Sequence, residues 1–591
     1  MRIARVSITN FRGIQNAELL LPNHCALIGD NNVGKSTVLE AIDLVLGPER
    51  LYRRPPIDEH DFYAGRYLDD QEQPINVSIE VVVSELAEEQ IRHFAEHLEW
   101  WSNATNSLIT GAPPEQTNAP SVLPALRVSF LGSYDADEDD FVGSTHFNSP
   151  ENEDGTFSVF KSTDKRLCGF LFLRTLRTGR RALSLERGSL LDVILRLQEK
   201  RLRMWEQVLG ELRTLPVAAD PDIGLTEILT AVQKAVRNYV PMEWADEPHL
   251  RVSDLTREGL RGSLAVFLST GAKLPDGSLH AAPFEYQGTG TVNTLVLSLL
   301  SLIADLKQNV IFAMEEPEIA IPPHTQRQVV SNVRSLSSQS IFTSHSPYVL
   351  AEMEPEQLLV LKRSNGRLLG FSGALPPAVK PKKYKEDMRK RFCEALLSRR
   401  VLVVEGRTEY DAMPAAARRL SEINPAVYSP FEAIGIATID AETDSQVEPL
   451  GKYFKDLGKD VYVVFDKQKD KAATEKIRAA LPNCYESPEF GFERLLIQHT
   501  AESALRRFAD SFNAAENWPT HLGSAPVPAM GIEDLRNTLH DYLVWSKGSS
   551  GAADLVSICD IEEMPEYIVN TIAAITALAN THQSETSTKS S

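Results

Sequence analysis

The chain has 591 residues, 24% charged and 42% hydrophobic, the balance of a water-soluble globular protein with room for several cores. Its 81 acidic residues outnumber 61 basic ones, for a formal net charge of −20. That excludes a uniformly basic nucleic-acid coat, though a local basic strip can still meet phosphate. Five scattered cysteines (Cys25, Cys168, Cys393, Cys484, Cys559) without C-x-x-C spacing exclude a disulfide framework and a zinc ribbon. The sequence opens on a strand pattern, Ile3 to Ile8, with no signal-peptide core. The most apolar helix, around Leu295–Ala304, is too short to span a bilayer. A cytoplasmic protein with no membrane contact is expected.

The first motif in chain order is Gly-Asp-Asn-Asn-Val-Gly-Lys-Ser at 29–36, the full phosphate-loop pattern G-x-x-x-x-G-K-[ST]. A strand-like stretch, 24–28, precedes it and a helix-like stretch, 37–42, follows. The glycines let backbone amides face the β-phosphate, at the positive end of a helix. Nucleotide contacts are expected from Gly29, Asn31, Asn32, Gly34, Lys35, Ser36 and Thr37. Lys35 would reach the β- and γ-phosphates, and the Ser36 hydroxyl would bind Mg²⁺. Further on, the acidic run 135–140 reads as a solvated hairpin loop. Leu190 to Leu215 has the spacing of one long amphipathic helix, basic at Arg196, Lys200, Arg201 and Arg203. It fits a dimerisation arm and ordinary core packing equally well.

Residues 310–318 read Val-Ile-Phe-Ala-Met-Glu-Glu-Pro-Glu, a buried parallel strand ending in carboxylates. Glu315 would join the Mg²⁺ shell and Glu316 would orient or deprotonate the attacking water. A second short strand then ends in Thr-Ser-His-Ser-Pro at 343–347, where His345 could sense the γ-phosphate. Together with Ile8-Thr9-Asn10-Phe11-Arg12-Gly13, these motifs resemble ABC-type ATPases of the SMC/RecF kind. The resemblance implies ATP and Mg²⁺ as ligands and a signature loop before the acidic strand. The candidate is 286–291, with Gly288 and Gly290, opening a helix Val292–Leu306. In that family the loop caps the γ-phosphate held by the other protomer, which implies a homodimer. Glu315 stands where these ATPases usually carry Asp.

Prolines at 376, 377 and 381 mark a boundary, and a basic stretch follows. We read 374–394 as a linker that adds positive charge, with a phosphate-contacting strip as the sharper alternative.

Next, the apolar run 401–404 delivers Glu405 at a strand end, Gly406 allows a tight turn, and Glu409 follows four residues on. A second strand, 460–465, ends in Asp466. The pattern resembles a TOPRIM domain, as in topoisomerases, primases and OLD-family nucleases. The family's Asp-x-Asp is here Asp466-Lys467-Gln468, with Asp470, Asp440 or Asp444 as replacements for the missing carboxylate. Phe490–Leu496, with Glu493, resembles the OLD acidic element, and Trp545–Gly551, with Lys547, resembles its late lysine loop. An ABC head fused to a TOPRIM domain is the OLD (overcoming lysogenization defect) architecture, and the layout looks closest to the class paired with a UvrD-like helicase.

The expected fold is therefore α/β. Residues 1–185 and 251–373 form the ATPase, 186–250 a helical insertion, 395–580 the TOPRIM domain and 581–591 a disordered tail. The resemblance implies cleavage of DNA with Mg²⁺ or Mn²⁺ held by Glu405, Glu409, Asp466, Asp470 and Glu493. Lys547 would then stabilise charge in the transition state. Phage defence or repair is the implied setting. No topoisomerase tyrosine module and no primase zinc module is visible. The competing class is a non-catalytic, ATP-gated DNA clamp with a degenerate TOPRIM domain, which Gln468 favours.

Overall fold

The computed structural model describes the chain apart from residues 49–54, 110–120, 174–184, 186–188, 199–200, 215–224, 238–255, 257–258, 262–263, 307–309, 320–321, 381–387, 516 and 589–591. Two compact units emerge: Met1–Arg12 with Val38–Phe342, and Gly13–Thr37 with Thr343–Ser591.

In the first unit, strand Arg2–Phe11 pairs antiparallel with Val77–Ser84, and that strand with Val122–Asp135. A register shift between Ile3 and Arg5 breaks the two-residue alternation, so Ile3 and Ala4 are both buried. The acidic run lies between Val122–Asp135 and Asp140–Glu151, which form a hairpin in which Asp135 faces Asp140. A parallel pair, Phe170–Leu173 with Ile311–Glu315, carries the acidic motif, and every residue of the second strand is buried. Strand Gln339–Thr343 lies next to it in the sheet, after helix Pro323–Leu336. The buried Gln339 side chain accepts from the Ile3 amide at 2.8 Å and donates to its carbonyl at 3.0 Å. It thereby replaces a missing strand neighbour with an amide of the right shape.

The stretch expected as one helix over 190–215 is two, Leu190–Leu197 and Arg201–Thr214. The break is local: the first helix ends at Gln198, whose amide bonds back to Ile194 and Arg196. Residues 199–200, and so Lys200, lie outside the described residues. The second helix has a small core of its own, Trp205 and Leu209 against Leu260. A two-stranded hairpin, Phe267–Lys273 with Leu279–Pro283, follows and is largely exposed.

In the second unit, strand His24–Ile28 runs parallel to Leu358–Ser364, which pairs antiparallel with Arg367–Ser372, and that strand runs parallel to Ile14–Leu20. A separate sheet has the order Ile436–Asp440, Arg400–Val404, Asp460–Phe465, Cys484–Glu486, parallel throughout. Parallel strands need covering on both faces. Helices Arg407–Ile423, Phe492–His499, Glu502–Ala515, Ile532–Trp545, Gly551–Ser557 and Glu566–Thr588 supply residues to one large apolar cluster over this sheet. The last helix runs to Thr588, so the tail expected over 581–591 is helical to that point; its polar residues include no Gly or Pro to stop the helix. Residues 381–387 of the basic linker lie outside the described residues. Beyond them, Arg389 donates to the Met353 carbonyl at 2.8 Å and Arg391 sits 4.6 Å over the Tyr410 ring, so these cations are engaged within the protein.

No described helix is long and apolar enough to cross a membrane.

Lys165, in the first unit, is fully buried, and its ammonium donates to the Leu44 carbonyl at 2.8 Å. Burial lowers its pKa from 10.5 to about 7, against the opposing pull of Asp43. Below about pH 7 the group is charged in both states, and its burial cost is fully present. Between about 7 and 10.5 the unfolded chain holds a proton that the folded chain does not, so stability rises with pH. Urea unfolding should therefore gain stability from pH 7 to pH 10 more steeply in wild type than in Lys165→Met. Equal slopes would show that Lys165 does not carry the effect.

Candidate functional site

The phosphate loop belongs to the second unit. Strand His24–Ile28 enters it and helix Lys35–Leu46 leaves it. Gly29 and Gly34 have φ of +155° and +119°, and Asn32 has φ of +62°. A Cβ on Gly29 would stand 2.7 Å from the Leu361 carbonyl oxygen, so only glycine fits there. Lys35 is buried, with Nζ folded onto the Gly29 and Asp30 carbonyls at 2.8 and 3.0 Å. An ammonium resting on backbone carbonyls of the loop is placed to exchange them for a phosphate. Asn31, Asn32 and Ser36 are exposed, and Thr37 is half-buried. The loop geometry and its lysine fit a nucleotide's phosphates.

His345 belongs to the same unit and is exposed at the turn after Gln339–Thr343. The hydroxyls on either side make that turn: Ser344 accepts from the Ser346 amide at 3.0 Å, and Ser346 from the Tyr348 amide at 3.2 Å.

Glu315, Glu316, Gly288 and Gly290 belong to the first unit. Glu315 ends its strand with 8% of its surface exposed. Glu316 has φ of +44°, the left-handed region, which costs a non-glycine residue about 1 kcal/mol or more. The left-handed residue stands directly after the end of strand Ile311–Glu315. The signature helix starts at Thr289 rather than Val292, so Gly290 lies in its first turn and only Gly288 precedes it. The Gly288 carbonyl accepts from the Thr291 and Val292 amides at 3.0 and 3.2 Å, which is why the helix begins early. Gly290, Thr291, Leu295 and Ser298 line an open pocket of about 630 Å³ together with Leu268, Pro322 and Thr325.

The second cluster lies at the C-terminal edge of the parallel sheet. Glu405 follows strand Arg400–Val404 and Asp466 follows Asp460–Phe465. Glu405 Oε2 accepts from the Asp466 amide at 3.0 Å and from Gln468 Nε2 at 3.1 Å. Glu409, in the first turn of Arg407–Ile423, is 3% exposed. Its Oε2 is 3.1 Å from where a Gly406 Cβ would be, so the glycine makes room for that carboxylate. Glu493 opens helix Phe492–His499. It accepts a short hydrogen bond from the Thr408 hydroxyl and pairs with Lys547 Nζ at 2.8 Å.

The electrostatics show what this cluster lacks. Burial, then Glu405 and Glu493, push the Asp466 carboxyl up to about 7 against the pull of Lys547. Burial, then Asp466, raises Glu409 well above the carboxylate range. Burial also raises Glu405, with Asp444 adding to it and Gln468 opposing. Glu493 goes the other way: burial would raise it, but hydrogen bonds from Lys547 and Thr408 hold it low. Asp466 Oδ1 is buried without a hydrogen-bond partner. Among the described residues, no three His, Cys, Asp or Glu side chains are grouped so as to hold a metal ion as they stand. The donor set nonetheless fits a divalent cation: hard oxygen ligands, excess negative charge and an orphaned buried carboxylate oxygen. Asp470 takes no part in the contacts of this cluster, since its side chain caps helix Lys471–Ala480 by accepting from the Ala472 amide at 3.0 Å. Asp444 is the candidate replacement that bears on Glu405.

Thr408 and the Gln468 amide are members that sequence reasoning misses. Thr408 has a faint signal in its place beside Glu409, whereas Gln468 reads in the sequence as a missing ligand and acts in the structure as a donor.

An ATPase head joined to a TOPRIM sheet is the class of protein that this fold and these sites define. Residues 1–107 and 203–350 match the AAA ATPase domain, and 396–467 match the "Overcoming lysogenization defect protein-like, TOPRIM domain". The chain is 23% identical over 454 residues to the "Old nuclease" of Escherichia phage P2, covering 72% of this chain and 71% of that protein. It is 23% identical over 521 residues to the "OLD nuclease" of Thermus scotoductus (80% and 84% covered). It is also 23% identical over 542 residues to the "Uncharacterized protein YbjD" of Escherichia coli K12 (88% and 91%). The chain joins an AAA ATPase domain to an OLD-like TOPRIM domain, the make-up of an ATPase and nuclease enzyme, and is similar to the OLD nucleases over most of its length.

Gln468→Asp replaces the amide that donates to Glu405 with another carboxylate. The variant should melt lower than wild type in EDTA and gain more from Mn²⁺ in a thermal-shift assay. An unchanged melting temperature in both conditions would place residue 468 outside the electrostatics of the cluster.

Proposed function

We propose that the protein binds and hydrolyses ATP at the phosphate loop and cuts DNA phosphodiesters at the Glu405–Asp466 cluster. The observation that carries the reading is the gathering of Glu405 and Asp466, at the ends of two parallel strands, with Glu409 of the first turn of helix Arg407–Ile423, and with Lys547 brought in by Glu493. A DNA substrate is what such a cluster suits and what the nuclease relatives suggest by name.

At the phosphate loop, Lys35 would exchange the Gly29 and Asp30 carbonyls for the β- and γ-phosphates, and the Ser36 hydroxyl would help hold Mg²⁺. By their motifs, Glu316 would orient the attacking water, Glu315 would help hold the metal, and His345 would sense the γ-phosphate. Gly288 and Gly290 offer backbone amides to the nucleotide of a second copy, so the working form is a two-fold dimer.

At the second site, Glu405, Glu409 and Asp466 would hold one or two Mg²⁺ or Mn²⁺ ions, which supply Lewis-acid activation of water and phosphate. Glu493 holds Lys547 in place, and Thr408 fixes Glu493. The Lys547 ammonium neutralises charge that grows on the phosphate. Gln468 keeps Glu405 oriented while the cluster is empty of substrate.

The same Gln468 contact favours a second reading, a non-cutting ATP-gated clamp, because an amide donor satisfies Glu405 without a metal. Nicking of supercoiled plasmid in Mg²⁺, Mn²⁺ and Ca²⁺ decides between them: no cleavage of any DNA form under any ion leaves the clamp.

Lys35→Ala should lose nucleotide binding. Glu316→Gln should keep binding but turn over ATP roughly 100-fold more slowly, as expected when a water-orienting base is removed. Wild-type turnover by Glu316→Gln would reassign the base. Glu405→Ala should abolish nicking with ATPase activity close to wild type, because the two sites share no residue. A parallel loss of ATPase activity would show that the chemistry is not separable in this way.

A further inference from the structure

Two large aromatic rings stand in the open beside the carboxylate cluster, and neither is used by the chemistry above. Phe490 and Trp545 are each 48% exposed. Phe490 lies three residues before Glu493, and Trp545 two residues before Lys547. Both segments are tied to the cluster. The Lys467 amide, directly after Asp466, donates to the Glu489 carbonyl at 3.0 Å, and Lys467 Nζ sits 5.1 Å over the Phe490 ring. On the other side, Lys547 is paired with Glu493 at 2.8 Å.

Trp545 also packs against other rings. Its ring lies 5.8 Å from Tyr542 and 5.1 Å from His521. Tyr542 stacks on Trp518 at 25° and packs on Phe512, which belongs to the buried core. A ladder of rings thus runs from the core to the surface and fixes its last member in place. An exposed ring ordered in advance loses little entropy when something flat lies on it.

The charge beside the rings favours a phosphate chain. Lys467, Lys469 and Lys471 are exposed within five residues of the strand end that delivers Asp466, and Lys547 is exposed at the other edge. Aromatic platforms alternating with lysines are how sequence-tolerant proteins hold single strands. Each stacked base contributes about 1–3 kcal/mol, and the bases of an intact duplex cannot reach such rings.

We propose that Phe490 and Trp545 are stacking platforms for unpaired bases on either side of the cleaved phosphate, which makes single-stranded or locally opened DNA the preferred substrate. The inference rests on the nuclease reading, but binding tests it without any cleavage. In EDTA, full-length protein is titrated into fluorescein-labelled oligo(dT) and into a duplex of equal length. Phe490→Leu and Trp545→Leu keep the apolar bulk and remove the flat face. Each should weaken oligo(dT) binding by roughly 5- to 100-fold and leave duplex binding unchanged. Trp545→Phe should retain most of the affinity, and the quenching of protein fluorescence by oligo(dT) should disappear in that variant.

Oligo(dT) affinity that is unchanged in both leucine variants overturns the proposal. So does equal loss on both DNAs, or a change of oligomeric state in sedimentation, which would assign the rings to a protein interface. Cleavage of the same oligonucleotides in Mn²⁺ is scored separately. Selective binding without cleavage sinks the nuclease reading and leaves the platforms standing, whereas cleavage with unchanged variants does the reverse.

Discussion

Four carboxylates that repel one another, Glu409 and Glu493 buried and Glu405 and Asp466 half-buried, set the terms for the C-terminal half of this protein. Glu405, Glu409, Asp466 and Glu493 come from two strand ends and two helix starts, and folding brings them together despite the cost of removing each from water. The chain answers with a few opposing devices. Lys547 neutralises Glu493, the Asp466 amide and the Gln468 side chain satisfy Glu405, and Glu409 and Asp466 are driven toward their protonated forms. Those devices fall short, as the unpartnered Asp466 oxygen shows. A site that stays short of positive charge when empty is suited to gain it from a bound cation and a lysine-held phosphate.

The parallel sheet is what makes such a concentration of charge possible. Its four strands are paired in register and covered by helices, so the strand ends are fixed by many apolar contacts that do not depend on the site. Arg400 shows how firmly the opposite edge is held. It is 1% exposed, yet donates to the Ile434 carbonyl at 2.6 Å and to the Ala579 carbonyl at 3.0 Å, joining the start of a central strand to the last helix. With the strands anchored in this way, repulsion among the carboxylates is met by the rigidity of the sheet rather than relieved by movement.

Much of this is legible in the sequence because the strongest signals are those with a local physical cause. Gly29, Gly34 and Lys35 are dictated by a backbone that must turn tightly and expose its amides, so their spacing alone defines the loop. Glu405 and Asp466 follow apolar runs, and a carboxylate at the end of a buried strand is costly unless a cation or hydrogen-bond donors meet it. What is not legible depends on contacts far apart in sequence. Thr408 meets Glu493 across 85 residues, and Gln339 completes the edge at Ile3 across 336. Periodicity also misleads where a hydrophobic pattern continues through a break, as at Gln198, because amphipathic spacing records which face is buried and not whether the backbone is continuous. Asp470 illustrates the opposite error. A carboxylate near the right strand is drawn instead into capping the next helix, where it accepts from the Ala472 amide.

Charge, fold and chemistry meet at Gln468. Where the TOPRIM pattern carries a second aspartate, this chain has an amide one methylene longer, which donates instead of repelling. It bonds Glu405 Oε2 and the Asp466 carbonyl, at 3.1 and 2.8 Å. A carboxylate in that position would place a further negative charge beside Glu405 and Asp466, both of which are already raised by burial and by each other or by neighbouring acids. The amide lowers the electrostatic cost of the empty site and gives up one potential oxygen donor of full charge. The trade has a definite direction: it lowers the electrostatic cost of the fold without metal, and would weaken the hold on any cation placed between Glu405 and Asp466. The identity of one side chain therefore shifts the balance between a site that is always assembled and one that is completed only when metal and phosphate arrive together.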